Sequence, residues 1–260
     1  MSLSAFAPVM EPKSPMVPAP GRCPACSGRK AHPFYTLSGV PTNSCLLIPS
    51  RVEALACRRG ELVLAACPGC GLVFNAAFDP RLTEYSRQYE ETQGYSPTFN
   101  AFQEELALRL MRRHQLRGRT VLEIGCGKGE FLARLCELGV ARGVGFDPAF
   151  VAERNTRAAG RLEVIADFYS ERYAGIEADF ICCKMTLEHV HQPARLVRTI
   201  RASIGERQET VVFFQVPDAS RILREGAFED VYYEHCNYFT PDSLAALFRR
   251  CGFRISSLET

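Results

Sequence analysis

The chain of 260 residues has no long hydrophobic run. Its most apolar stretches, residues 180–183 and 211–214, have the length of single strands, whereas a membrane-spanning helix needs about 18 consecutive apolar residues. No basic residue precedes the small apolar residues of the N-terminus, so the layout of a secretory signal is missing as well. These absences predict a cytoplasmic protein that does not bind a membrane.

The chain also lacks an excess of charge of either sign. Its 31 basic residues stand against 29 acidic ones, which gives a net charge of +2. No overall field would hold such a protein on nucleic acid, so nucleic acid is not an expected partner. Apolar residues make up 47% of the chain, which excludes general disorder and suffices for one full-sized core with a small accessory module.

Composition divides the chain into four parts. Residues 1–20 contain five prolines and are expected to be a flexible lead. Residues 21–80 are rich in Cys, Gly and Pro and have only short apolar runs, which indicates a small module that something other than a core must hold together. Residues 81–118 are expected to be a helical linker, since apolar residues recur at helical spacing from Ser96 to about His114.

The fourth part, residues 119–260, alternates aliphatic or β-branched runs with helical stretches. Strands are expected at residues 120–124, 142–146, 162–166, 179–184, 210–216 and 253–258, and helices at residues 131–138, 194–204 and 244–251. Strands that alternate with crossover helices predict an α/β fold with a doubly wound parallel sheet. A ligand of such a sheet binds beyond the carboxyl ends of the strands.

Four of the twelve cysteines form two C-x-x-C pairs, Cys23 with Cys26 and Cys67 with Cys70, separated by 40 residues. Four thiolates on two tight turns suit tetrahedral zinc with no open position, so the ion is expected to be structural. A redox C-x-x-C is the alternative, and it would explain only one pair. The other cysteines are expected to be buried apolar thiols, because a long chain without a secretory signal does not fit a disulfide scaffold.

A glycine-rich turn follows the first strand of the fourth part. Gly125, Gly127 and Gly129 have the spacing G-x-G-x-G between a strand and a helix, where small residues let the backbone approach a ligand. The spacing matches neither a Walker loop nor the dinucleotide motif G-x-G-x-x-G. Asp147 ends the next strand, where a carboxylate accepts hydrogen bonds from ribose hydroxyls; a dehydrogenase would use it too, but would not explain the glycine spacing.

With Glu123 two residues before the first glycine, this pattern resembles motif I of class I S-adenosylmethionine-dependent methyltransferases, over the region from Arg119 onward. The resemblance implies a Rossmann-like methyltransferase sheet and S-adenosylmethionine as cofactor. The cofactor-binding residues that it implies, from the methionine end to the adenine end, are Glu123, Gly125, Gly127, Gly129, Lys184, Asp147, Asp167 and Phe168.

The resemblance places Gly125 and Gly127 against the methionine part of the cofactor, with Glu123 near its ammonium group. Asp167 and Phe168 would contact the adenine, and the segment 184–189 would line the sulfonium. A simpler alternative stays open for two of these positions. Asp167 could cap a turn, and His189 could be an ordinary polar residue on a helix.

A cluster of titratable residues precedes the last predicted helix, whose start is marked by Thr240 and Pro241. Tyr232, Glu234 and His235 can supply a base, its orienting carboxylate and a hydroxyl donor near the carboxyl edge of the sheet. The alternative is an aromatic lid that packs on the cysteine module.

Two cysteine pairs, a methyltransferase core and a Tyr-x-Glu-His segment together resemble the zinc-containing sugar C-methyltransferases, which act on nucleotide-linked keto-deoxysugars. The resemblance implies that His235 removes a proton next to the sugar ketone and that Tyr232 donates to the developing enolate. Glu234 would orient the base or contact the sugar. Two alternatives are a methyltransferase that acts on oxygen or nitrogen of another small metabolite and a non-catalytic, cofactor-binding zinc scaffold.

The sequence departs from that family in two ways. Tyr233 stands where the family commonly has a histidine, and the family's C-terminal lobe and the last strand of its sheet are not accounted for. We expect either a shortened relative, or a partner or second subunit that completes the sheet edge and the site. The expected ligand is a small molecule, a nucleotide sugar if the resemblance extends to the substrate.

Overall fold

The computed structural model describes residues 21–28, 30–152, 158 and 160–260, so the predicted flexible lead at residues 1–20 lies outside the described residues. The strands are His32–Pro41 (β1), Arg59–Ala66 (β2), Val73–Asn75 (β3), Thr120–Ile124 (β4), Arg142–Phe146 (β5), Leu162–Ile165 (β6), Phe180–Lys184 (β7), Val211–Gln215 (β8) and Asn237–Tyr238 (β9). The α-helices are Arg51–Leu55 (α1), Pro97–Arg113 (α2), Glu130–Glu137 (α3), Pro193–Ile204 (α4), Ala219–Glu225 (α5) and Pro241–Arg250 (α6).

Five parallel strands form the central sheet in the order β6-β5-β4-β7-β8. The five predicted strands are confirmed to within one residue at each end. Their continuous aliphatic runs suit strands that are covered on both faces; Val121, Leu122 and Phe180 are fully buried. The chain starts at β4 in the middle and proceeds first to one edge and then to the other, which opens a crevice beside β4 at the carboxyl ends of the strands.

The predicted helix from Ser96 is confirmed as α2. The Ser96 hydroxyl accepts a hydrogen bond from the N–H of Phe99, and Pro97 occupies the first turn, where its missing N–H does no harm. Leu106 and Leu110 of α2 are buried in the same apolar cluster as residues of β4 and α3. This helix therefore belongs to the core of the α/β region as well as leading into it.

A second sheet has four antiparallel strands in the order β1-β2-β3-β9. The first three strands come from the cysteine-rich residues, whereas β9 follows β8 and α5 in the α/β part of the chain. Val73 of β3 pairs with Tyr238 of β9, and Phe74 pairs with Asn237. The cysteine module and the α/β region thus share a sheet, and they also share an apolar cluster in which Leu72 packs with Val197 and Leu247.

The predicted strand at residues 253–258 is wrong. The apolar residues Phe253 and Ile255 alternate with polar ones as in a half-buried strand, but this segment forms no strand after α6. Both side chains instead pack half-buried against the core, with the Phe253 ring 5.6 Å from that of Phe248. In the described part of the chain β8 is the edge of the parallel sheet. The alternation of apolar and polar residues after α6 is explained by the packing of Phe253 and Ile255 against the core.

The start of α6 at Pro241 follows the predicted signal: Thr240 and Ser243 form a capping box, each side chain accepting from the backbone N–H of the other. No helix within the described ranges is long and apolar enough to cross a membrane.

Candidate active site

A cavity of about 1600 Å³ opens at the carboxyl ends of β4, β5 and β7. The cysteine module and the segment before α2 also contribute to its wall, among others through Cys45, Phe78, Tyr85 and Tyr89. Nine of the eleven predicted cofactor and catalytic residues line it: Glu123, Gly125, Gly127, Asp147, Asp167, Phe168, Lys184, Tyr232 and His235. The other two, Gly129 and Glu234, do not.

The glycine turn is tight because its backbone folds against neighbouring side chains. The N–H groups of Gly125 and Cys126 both donate to the carbonyl of Phe146 at the end of β5. A Cβ atom on Gly125 would collide with the Thr186 side chain, and one on Gly127 would lie 2.5 Å from Oε1 of Glu91. Both glycines have positive φ, so any other residue would be strained as well as obstructed. Gly129 lies at the start of α3, outside the cavity wall.

Asp147 follows β5 and is held by two backbone donors. Its Oδ2 accepts from the N–H of Gly127 at 2.9 Å, and its Oδ1 accepts from the N–H of Ala149 at 2.8 Å. Burial raises the pKa of this carboxyl, and the two backbone N–H groups oppose that rise. The carboxylate is thereby fixed against the glycine turn, and each oxygen keeps acceptor capacity for a ligand.

Glu123 and Lys184, on the neighbouring strands β4 and β7, form a buried ion pair at 3.3 Å. The Lys184 ammonium also lies 3.8 Å from the centre of the Phe131 ring. Burial raises the pKa of Glu123, and the charge of Lys184 acts in the opposite direction. Oε2 of Glu123 is buried and accepts no hydrogen bond from any residue in the described ranges. Lys184 thus offsets the negative charge of Glu123 at Oε1, while Oε2 lacks a hydrogen-bond donor.

Asp167 and Phe168 follow β6 at one end of the cavity. Oδ2 of Asp167 accepts from the Tyr173 hydroxyl at 2.6 Å and pairs with Arg172, and Oδ1 accepts from the N–H of Phe168. The hydrogen bond from Tyr173, more than any other contact, holds the pKa of Asp167 below its usual range. These contacts fit the turn-capping alternative. The Phe168 side chain is 63% exposed and offers a free aromatic surface to the cavity.

His235 and Tyr232 form a short polar contact in the cavity wall. The Tyr232 hydroxyl lies 2.6 Å from Nε2 of His235, and Nδ1 lies 3.2 Å from the carbonyl of Asp230. A carbonyl only accepts, so Nδ1 carries the proton, and Nε2 accepts from Tyr232. Burial, followed by the neighbouring His189, lowers the pKa of His235 to about 3. The imidazole is therefore neutral at physiological pH and has its basic nitrogen on the tyrosine side.

Three further residues line the cavity beside His235 and Tyr232. Glu188 and His189 belong to the segment that was expected to line the sulfonium, whereas sequence reasoning did not single out Tyr85. The rings of His189 and His235 meet edge to face with centres 4.8 Å apart, and the Tyr85 hydroxyl lies 3.3 Å from Nδ1 of His189. Burial raises the pKa of Glu188 to about 8, and neither carboxylate oxygen has a hydrogen-bond partner in the described part of the chain. The position of Glu188 and His189 just after β7 is a signal for them; Tyr85 has none, since about 100 residues separate it from His189.

Glu234 faces the cysteine module and not the cavity. Its fully buried carboxylate accepts from the Asn43 amide at 3.0 Å, from the N–H of Ser44 at 2.6 Å and from the Ser44 hydroxyl at 2.5 Å. Tyr233 also faces the module, where its hydroxyl accepts from the N–H of Asp79 at 2.9 Å and its ring covers Gly60. The catalytic role of Glu234 stays a prediction; the contacts of Tyr233 match the alternative of an aromatic packing on the module.

A family model described as a methyltransferase domain matches residues 98–258, which is more than half of the chain. The chain belongs to this family. It has a methyltransferase domain with a Rossmann-like α/β fold around a parallel five-stranded sheet.

Three known methyltransferases are similar to this chain, one found by sequence and two among solved structures. The C-methyltransferase NovU of Streptomyces niveus is 25% identical over 148 residues, which cover 55% of this chain and 34% of NovU, so the chain spans about a third of that relative's length. An S-adenosylmethionine-dependent methyltransferase from Mesorhizobium loti is 17% identical, with a TM-score of 0.41 over 60% of this chain and 84% of that one. The magnesium protoporphyrin IX methyltransferase of Synechocystis PCC 6803, solved with S-adenosylhomocysteine, is 15% identical, with a TM-score of 0.45 over 61% and 75%.

The cavity of the methyltransferase fits S-adenosylmethionine. Gly125 and Gly127 line the cavity with backbone atoms, which a ligand can approach closely, and the orphaned oxygen of Glu123 fits a donor from the ligand. We call the part of the cavity lined by Gly125, Asp147 and Phe168 the cofactor half. The part lined by Tyr85, His189, Tyr232 and His235 is the substrate half.

The four predicted metal ligands of the methyltransferase lie together. Sγ of Cys23 is 3.6 Å from Sγ of Cys70, Sγ of Cys26 is 3.6 Å from Sγ of Cys67, and all four sulfur atoms lie within 4.8 Å of one another. The hydrogen bond with Cys70 is the largest of the effects that lower the pKa of Cys23 to about 5. Gly28 leaves room for this cluster, since a Cβ there would lie 3.3 Å from Sγ of Cys26.

Proposed function

We propose that this methyltransferase methylates carbon, at the position beside the ketone of a nucleotide-linked keto-deoxysugar. The observation that carries the proposal is the neutral, buried imidazole of His235, whose Nε2 faces the Tyr232 hydroxyl in the cavity that also contains the glycine turn. A base beside a hydroxyl donor suits an acceptor that must lose a carbon-bound proton. The similarity to NovU, which is named a C-methyltransferase, supports the same choice.

Two residues of the substrate half would generate the nucleophile. Nε2 of His235 takes the proton from the carbon next to the ketone, and the electron pair of that C–H bond forms the enolate. The Tyr232 hydroxyl turns from Nε2 to the enolate oxygen and stabilises its negative charge by a hydrogen bond. The enolate in turn offsets the cost of a buried imidazolium. Bound S-adenosylmethionine supplies the electrophilic methyl group.

Glu234 would act on this chemistry as a positioning residue. Its carboxylate anchors the segment of Tyr232 and His235 to Asn43 and Ser44 of the cysteine module. In the cofactor half, Gly125 and Gly127 would lie against the methionine part, Asp147 would accept from the ribose hydroxyls, and Phe168 would cover the adenine.

We also propose that Cys23, Cys26, Cys67 and Cys70 hold a structural zinc ion. Four thiolates at 2.3 Å from a tetrahedral zinc lie about 3.8 Å from one another, which is close to the two sulfur separations of 3.6 Å. All four ligand positions are then filled by protein, so the ion has no place for substrate. Twelve free thiols suit the reducing cytoplasm as location. A second subunit or another chain could complete the sheet beside β8.

The experiment tests the first step of the proposed reaction, the removal of the carbon-bound proton. We expect the protein with S-adenosylhomocysteine in D₂O to exchange the proton beside the ketone of a nucleotide-linked keto-deoxysugar for deuterium, as read by mass spectrometry. His235→Asn should slow this exchange at least about a hundredfold, since general-base catalysis contributes that much or more. Its affinity for S-adenosylhomocysteine should stay within about twofold, because His235 lies outside the cofactor half.

Tyr233→Phe is the matched control, since Tyr233 is adjacent in sequence but faces the module. It should keep both exchange and methyl transfer. Deuterium exchange at the full rate by His235→Asn would refute His235 as the base. Methylation of oxygen or nitrogen without any exchange would refute the carbon acceptor. Cofactor binding without turnover of any acceptor would favour the scaffold alternative.

A further inference from the structure

The segment from Thr83 to Ser96, which we call the strap, runs from the cysteine module to α2 across the glycine turn. At its centre Glu90 forms an ion pair with Lys128 of that turn, and the Thr92 hydroxyl donates to Glu130 of α3 at 2.9 Å. The backbone N–H of the same Glu90 donates to the carbonyl of Cys45 in the cysteine module at 2.9 Å. The centre of the strap is thus tied to the glycine turn, to α3 and to the module.

Glu91 lies between these ties and points into the cavity. Its Oε1 is so close to Gly127 that a Cβ there would lie 2.5 Å away. No other residue in the described ranges donates a hydrogen bond to Glu91 or forms an ion pair with it. Burial raises the pKa of this carboxyl most and Asp147 raises it further, whereas a backbone hydrogen bond and the charge of Lys128 lower it. Lys128 forms its ion pair with Glu90, so the half-buried Glu91 carboxylate against the glycine turn has room for a further cation.

The other acids of the cofactor half have partners on at least one oxygen. Glu123, which the sequence assigned to the cofactor's ammonium group, pairs with Lys184 at 3.3 Å through Oε1, and only its Oε2 lacks a donor in the described ranges. Asp147 is fixed by the N–H groups of Gly127 and Ala149 in the position for ribose. The methionine end of S-adenosylmethionine carries a cationic ammonium, and the desolvation of Glu91 is offset best by a cation.

We propose that Glu91 is a cofactor-binding residue whose carboxylate pairs with the ammonium group of the methionine end. Glu91 precedes residues 98–258, so the family match does not assign it a role. The proposal depends on the cofactor alone and is independent of the acceptor. Since the strap also carries Tyr85 and Tyr89 into the cavity wall, the bound ammonium would hold that wall in place.

The test is a titration of purified protein with three ligands by calorimetry. S-Adenosylmethionine has both an ammonium and a sulfonium, S-adenosylhomocysteine has only the ammonium, and 5′-methylthioadenosine has neither. Glu91→Gln should weaken the first two at least about tenfold, as expected when a charged hydrogen bond is lost, and leave the third within about twofold. Glu105→Gln, an exposed glutamate on α2, is the control and should change none of the three.

Each other pattern overturns the proposal. Unchanged affinity for all three ligands would mean that Glu91 does not contact the cofactor. Equal weakening of all three would assign it to the ribose or to the shape of the turn, and thermal unfolding without ligand separates these two cases. Weakening of S-adenosylmethionine alone would assign it to the sulfonium. None of these outcomes affects the exchange experiment on His235.

Discussion

The cofactor half of the cavity comes mostly from two consecutive strand ends, whereas the substrate half is assembled from segments far apart in sequence. The glycine turn and Asp147 follow neighbouring strands, and the N–H of Gly127 donates a hydrogen bond to the Asp147 carboxylate. Tyr85, His189 and His235 meet only because the strap, the end of β7 and the segment before β9 converge. One half depends on the local geometry of a turn, and the other depends on how the cysteine module docks.

Chelation of the proposed zinc ion should have the largest effect and should affect the substrate half more than the cofactor half. Structural zinc contributes about 10 kcal/mol or more of apparent folding free energy, so chelation should unfold the cysteine module and abolish methyl transfer. The cofactor half should still bind S-adenosylhomocysteine, more weakly than before, because β4, α3 and α2 have their own apolar cluster. Metal analysis should find about one zinc per chain. Protein that is free of metal, folded and active would contradict the four-thiolate site.

A loss of intermediate size is expected for Glu234→Gln. The substitution removes the charge from a carboxylate with three hydrogen bonds and places an amide N–H₂ against donors, which should destabilise the protein by about 2–3 kcal/mol. Deuterium exchange by His235 should slow because its segment loses its anchor, while affinity for S-adenosylhomocysteine stays nearly constant. Thermal unfolding measures the stability, mass spectrometry the exchange rate and calorimetry the affinity. An equal loss of exchange rate and of affinity would contradict the distinction between the two halves.

The smallest expected effect concerns the cofactor half alone. Asp147→Ala should weaken S-adenosylhomocysteine about tenfold through the lost ribose hydrogen bonds, with little change in the thermal stability of the cysteine module. Asp167→Ala is the comparison, since Asp167 already has Tyr173 and Arg172 as partners. We expect a smaller loss for it in the same titration. Unchanged affinity of Asp147→Ala would mean that the cofactor does not use the end of β5.

The sequence was sufficient for the parts of the fold that depend on neighbouring residues. Continuous apolar runs located the five parallel strands, and the glycine spacing located the turn after β4. The strand predicted at residues 253–258 had only an alternation of apolar and polar residues, which reports which side chains are buried and not whether a strand has a partner. The two-residue strand β9 was equally out of reach, since its pairing with β3 spans more than 160 residues.

The direction of individual side chains was harder to predict than their position. Tyr232 and Glu234 are two residues apart, yet one faces the cavity and the other the module, because the segment before β9 is irregular. Glu91 carries no motif, and only its contact with Gly127 draws attention to it. Nor does the spacing reveal that Lys184 offsets Glu123, since that requires the register of two parallel strands.

The shared antiparallel sheet limits where the chain can be divided into separate domains. A cysteine module that ended near residue 80 would leave behind β9, which pairs with its strand β3, and Glu234, which binds its loop at Asn43 and Ser44. Transplanted to another methyltransferase, it would expose an unpaired strand edge and leave that loop without its acceptor. The module and the segment from Glu234 to Tyr238 therefore form one structural unit.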